Sequence, residues 1–77
     1  MEVIALEMTA SEKIRTLAKR QKKTLGDIAE ALNQSRQNFS NKMTRDNFTV
    51  KELEEIADAL DCDLRIQFIS RKDGDAL

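Results

Sequence analysis

Apolar positions recur along this chain at two different periods. Between Ala10 and Leu60 they fall three and four apart, which places them on one face of a helix; from Leu64 to Phe68 they alternate with polar residues, as in a half-buried strand. Ile14, Leu17 and Ala18 predict a first amphipathic helix over about 10–22. Ile28, Ala29 and Leu32 predict a second, beginning at Thr24 and stopping at Asn33. Phe39 and Met43 share the inner face of a third, over about 36–44, and Val50, Leu53, Ile56, Ala57 and Leu60 form the stripe of a fourth.

Start and stop signals agree with those periods. Thr9, Thr24 and Thr49 are each followed three residues later by a carboxylate (Glu12, Asp27, Glu52), the pattern of a capping box. Ser11 is an alternative cap to Thr9, and Ser35 is a good N-cap for the third helix. Asn33 tolerates the left-handed conformation, so it can close the second helix and redirect the chain. Ala29 is small enough to let the third helix cross close to the second. Gly26 costs helix stability of order 1 kcal/mol relative to Ala, with no role evident from the sequence.

After Asp61-Cys62-Asp63 the alternation of Leu64, Ile66 and Phe68 with Arg65 and Gln67 predicts a strand over 64–69. A lone strand leaves unpaired edges. Two partners are available: the same strand of a second copy, or the apolar Val3–Leu6 stretch within MEVIALEM, read as a short extended segment. Residues 70–77 are polar and are expected to fray.

Composition narrows the picture. Seventy-seven residues make one small domain with a thin core, for which oligomerisation is a reasonable expectation. No Pro and only two Gly suit a mostly helical chain. No apolar run is long enough to span a membrane, and the first residues lack the pattern of a signal peptide. A single cysteine, Cys62, excludes an internal disulfide and fits a cytoplasmic protein. The chain has no His, no Gly-rich phosphate loop and no metal-ligand cluster, so neither an enzyme nor a cofactor or metal site is expected; Cys62 reads as a small buried residue.

The net charge of −1 conceals an asymmetry. Residues 11–45 carry nine basic and three acidic groups, whereas residues 46–77 carry four basic and nine acidic ones. A basic half can face phosphates while the acidic half faces away. The outer face of the third helix carries Arg36, Gln37, Ser40 and Asn41, with Lys42 beside them. Arg suits the O6 and N7 of guanine, Gln and Asn suit the adenine edge, and a major groove admits a helix presenting them. Asn and Ser are weak helix formers, so this face spends helix propensity that Glu or Lys would keep. Arg45 and Lys42 near the following loop, and Lys19, Lys22 and Lys23 near the end of the first helix, are candidates for phosphate contact; the basic cluster also suits the dipole of the first helix.

The stretch TLGDIAEALNQSRQNFSNKM, followed by FTVKELEEIADALDCDL, resembles the lambda repressor/Cro-like helix-turn-helix family of the xenobiotic-response-element type, over roughly residues 11–64. Ala29, Asn33 and Phe39 sit where that family has a small residue, a turn and an apolar residue. The resemblance implies a mainly α, four- to five-helix lambda-repressor-like DNA-binding domain over residues 1–77. Its helical core would be residues 9–63, and the short C-terminal β-strand at 64–69 stands outside the family's core pattern. It also implies a transcriptional regulator, usually a repressor, that binds double-stranded DNA as a dimer. By position Arg36, Gln37 and Asn41 match base-contacting places, and Ser40 and the loop after the third helix match places near phosphate. Leu25 replaces the frequent phosphate-binding Gln, and Lys42 stands at an otherwise apolar place. Leu64, Ile66 and Phe68 are the expected homodimer contacts. The alternative from another class is a protein-interaction module on the same scaffold, of antitoxin or anti-repressor type, working through the acidic fourth helix.

Overall fold

The computed structural model describes residues 8–77, and these form a mainly helical chain. The extended segment expected over residues 1–8, with its Val3–Leu6 pairing stretch, lies outside them apart from Met8. Four helices follow in order: α1 (Ala10–Arg20), α2 (Leu25–Ala31), α3 (Arg36–Arg45) and α4 (Val50–Ala59). Each begins where the sequence places a cap. The Thr9, Thr24 and Thr49 hydroxyls accept from the backbone N–H three residues on, and Glu12, Asp27 and Glu52 reciprocate, completing three capping boxes. Ser35 accepts from the Asn38 N–H at the start of α3.

The ends follow one rule as well. Lys22, Asn33, Asp46 and Asp61 have φ of 57°, 59°, 53° and 55°, all left-handed, and each lies just past a helix. After α1, α2 and α4 the next N–H reaches back to close a Schellman motif: Lys23 to Ala18 O, Gln34 to Ala29 O, and Cys62 to Ala57 O. None of these stops uses glycine. That is why α1 ends at Arg20, short of the expected residue 22: a lysine in the left-handed region gives no sequence signal.

One side chain or more from every helix meets in a single core: Ile14 and Ala18 from α1, Ile28 and Ala29 from α2, Phe39 and Met43 from α3, Ile56 and Leu60 from α4 and its cap. Phe39 is wholly buried. Full burial of such a side chain contributes about 1.5–3 kcal/mol, so this residue anchors α3 in the common core. Leu17, Leu32, Phe48, Leu53 and Cys62 pack against this core from its rim. Val50 departs from the expected stripe. It is 54% exposed, whereas Leu53, Ile56 and Leu60 of the same stripe pack in or against the core.

The C-terminal segment also differs from expectation. Among the described residues there is no regular strand over 64–69; Leu64, Ile66, Phe68 and Ile69 are exposed. A strand needs a partner along its edge, and no stretch among the described residues forms a ladder with 64–67. The tail, expected to fray, instead turns back on itself. Phe68 and Leu77 exchange backbone hydrogen bonds of 2.8 and 2.9 Å, and Ile69 and Ala76 form an antiparallel bridge. Gly74, at φ 79°, supplies the left-handed residue of that turn. No helix among the described residues is long and apolar enough to cross a membrane.

Candidate nucleic-acid interface

α2 and α3 are joined by Leu32–Ser35, a connection set by local chemistry. Asn33 turns the chain left-handed, Gln34 closes the Schellman bond, and Ser35 caps the next helix. Ile28 and Ala29 on one side, and Phe39 and Met43 on the other, are buried against each other, which turns the opposite face of α3 outward. Arg36, Gln37 and Asn41 are all exposed there, and Ser40 is half-buried beside them. The Gln37 Nε2 donates to Asn41 Oδ1 at 3.1 Å, one helical turn away. A second amide pair, Asn38 Nδ2 to Gln34 Oε1 at 3.3 Å, runs along the adjoining face. Residue types alone did not single out Asn38.

Gly26 gains a role from this geometry. A β-carbon there would stand 3.7 Å from Arg36 Cδ, so the stem of Arg36 lies over the first turn of α2. The two helices thus meet at the residue that begins the exposed face of α3.

The basic residues divide into two groups. Lys19, Lys22 and Arg45 are exposed. Lys23 and Lys42, the other two phosphate-contact candidates on these elements, have partners within the chain. The Lys23 Nζ donates to Ala59 O at 2.9 Å, and Gln21 Nε2 donates to Leu60 O at 2.6 Å, so the end of α1 supplies donors to the carbonyls at the end of α4. Those carbonyls have no partner within their own helix, and a cation there also complements the dipole. Lys42 forms an ion pair with Glu52, whose other carboxylate oxygen caps α4 through Thr49 N. It therefore ties α3 to the start of α4 across the loop that follows Arg45 and carries Phe48.

That loop is held from the other side too. Asp46 ends α3 in a left-handed conformation. Its carboxylate accepts from the Ser11 N–H at 2.8 Å, at the N-terminus of α1, where negative charge is favoured. The buried Ser11 Oγ lies 2.7 Å from the same oxygen and 2.8 Å from Met43 O, so its single proton is shared between two acceptors. Ser11 was legible only as an alternative cap, and Asp46 only as a loop residue; nothing local reveals a contact across 35 positions.

Among the acidic groups, Asp27 is held below the usual carboxylate range, first by the backbone N–H and then by the hydroxyl of Thr24, with a smaller contribution from Lys23. Asp73 is lowered likewise, by the Asp75 N–H and then the Ser70 hydroxyl. Glu54, Glu55 and Asp58 on α4 are exposed. Cys62 is half-buried, its Sγ 3.3 Å from Leu60 O. Among the described residues no three Cys, Asp or Glu side chains converge to hold a metal ion.

Comparison of the chain with protein-family models, with characterised proteins and with solved structures finds no match.

Proposed function

We propose that this protein is a sequence-specific DNA-binding regulator of repressor type, with α2 and α3 acting as a helix-turn-helix and α3 entering the major groove. The observation that carries the reading is the exposed face of α3. Its side chains are Arg36, Gln37, Ser40 and Asn41, whose donors and acceptors suit base edges, and they are displayed by a helix anchored on the wholly buried Phe39. Arg36, Gln37 and Asn41 contact bases; Ser40, Arg45, Lys19 and Lys22 contact phosphates. Lys23 and Lys42 contribute mainly by bracing the elements that carry those groups. The fold this requires is lambda-repressor-like.

The active form in this reading is a homodimer. Leu64, Ile66, Phe68 and Ile69 are exposed on a segment that has an apolar alternation but no ladder in one copy. Phe68 already spends its backbone groups on Leu77, and backbone groups of successive strand residues point to opposite edges. The edge carrying Arg65, Gln67 and Ile69 is therefore the one offered to a second copy. Pairing there would place two α3 helices on one face of DNA, about 34 Å apart for adjacent major grooves.

The test is the salt dependence of binding to duplex DNA. Phosphate neutralisation predicts a log-linear loss of affinity with salt, with a slope that scales with the number of phosphates contacted. Weak binding without that slope would favour the interaction-module reading, in which the acidic face of α4 is the working surface.

A further inference from the structure

The two amides on the exposed face of α3 are bonded to each other, and this limits what each can offer a ligand. A primary amide has one oxygen acceptor and two N–H donors. The Gln37 Nε2 spends one donor on Asn41 Oδ1 at 3.1 Å. Gln37 keeps its oxygen and its second N–H, which together complement the N6 amino group and N7 of adenine. Asn41 is left differently. Its oxygen is turned toward Gln37, so its Nδ2, on the other side of the amide carbon, presents donors alone. The major-groove edge with two adjacent acceptors and no donor is that of guanine, through O6 and N7.

Resting on the DNA-binding reading above, we infer that Gln37 and Asn41 read two neighbouring base pairs as one unit, Gln37 an adenine and Asn41 a guanine. Asn41 has a second role as the positioning residue for Gln37. An unbraced glutamine amide turns over freely and offers its oxygen and nitrogen in either order. The bond to Asn41 Oδ1 selects the order, with Nε2 toward Asn41 and Oε1 away from it. Independent side chains would behave otherwise: two amides of the same chemistry would each select adenine, and the loss of one would leave the other's preference intact.

Binding-site selection from random duplex DNA with the full-length protein and two variants, Asn41→Ala and Asn41→Asp, separates these cases. Asn41 is exposed, and circular dichroism confirms that each variant is folded before use. Asp keeps an oxygen for the Gln37 N–H to reach and has no donors, while Ala removes both. The readout is relative base preference at each position, which a uniform change in affinity from the added charge does not alter. The wild-type protein is expected to select adenine beside guanine. Asn41→Asp is expected to keep the adenine and lose the guanine. Asn41→Ala is expected to lose the guanine and also to weaken the adenine preference by about tenfold, within the range of one bidentate contact. An unchanged adenine preference in Asn41→Ala would overturn the positioning role, and retention of guanine by Asn41→Asp would overturn the donor role. If the wild-type protein itself enriches no sequence, the DNA-binding reading fails, and that outcome is distinct from both.

Discussion

The carboxylate of Asp46, at the end of α3, receives both the backbone N–H and the hydroxyl of Ser11 at the start of α1. One residue thereby stops the helix with the exposed amide face, supplies an acceptor to the first turn of another helix, and fixes the loop next to Arg45. The left-handed φ of 53° at Asp46 and its acceptor role can be separated by substitution. Asn keeps both the tolerance of that conformation and a side-chain oxygen. Gly keeps only the conformation. Asp46→Asn is expected to remain within about 1 kcal/mol of wild type, and Asp46→Gly to lose about 1–3 kcal/mol because the Ser11 N–H loses its acceptor and the Ser11 hydroxyl keeps only Met43 O. Denaturant melts of the two variants check this, and equal stabilities would show that the contact contributes little.

A second prediction concerns Lys22, a non-glycine residue at φ 57° in the Schellman stop of α1. Such a residue bears a steric cost of about 1–2 kcal/mol that glycine avoids. Lys22→Gly is expected to raise stability by about 1 kcal/mol after allowance for the added flexibility of the unfolded chain. If Lys22 also contacts phosphate, the same variant binds DNA with a salt slope shallower by about one unit. A stabilised protein with an unchanged slope would remove Lys22 from the interface.

Asp27 carries the pH dependence of α2. Its folded-state pKa lies below the ordinary value of about 3.9, because Thr24 hydrogen-bonds the ionised form. The stabilisation is therefore fully present above the ordinary carboxylate range and is lost as pH falls through the folded-state value. Protection of the first-turn amides of α2, measured by hydrogen exchange and corrected for intrinsic rates, is expected to drop below about pH 4. In Asp27→Asn that step should disappear; its persistence would assign it to another carboxylate.

Phe68 tests the dimer. It is 79% exposed in a single copy, although its backbone is paired with Leu77. Phe68→Asp is expected to give monomers in sedimentation while leaving the helical circular-dichroism signal intact, since the side chain lies outside the core. An unchanged mass would exclude this segment as the interface.

What the sequence disclosed and what it hid divide by range. Thr9, Thr24 and Thr49 with their carboxylate partners, Ser35, and the left-handed Asn33 act within a few residues, and each was legible. The burial of Phe39 and Met43 followed from helical period. The exposure of Val50 did not, because period alone does not say which positions of a stripe the other helices cover. Lys23 on Ala59, Lys42 on Glu52 and Ser11 on Asp46 depend on how helices pack, and no local pattern marks them. The sequence therefore offers Lys23 and Lys42 as phosphate-contact candidates without showing their partners inside the chain. The outer face of α3 was legible as a set of residues, whereas the bond that couples Gln37 to Asn41 became visible only with side chains in place.

Whether α3 reads DNA from a two-fold dimer is answered by binding-site selection from random duplex DNA at moderate salt. A dimeric reader is expected to enrich a two-fold-symmetric site, with half-sites about one helical turn apart, roughly 10 base pairs. Failure of the folded protein to enrich any sequence would contradict the DNA-binding reading.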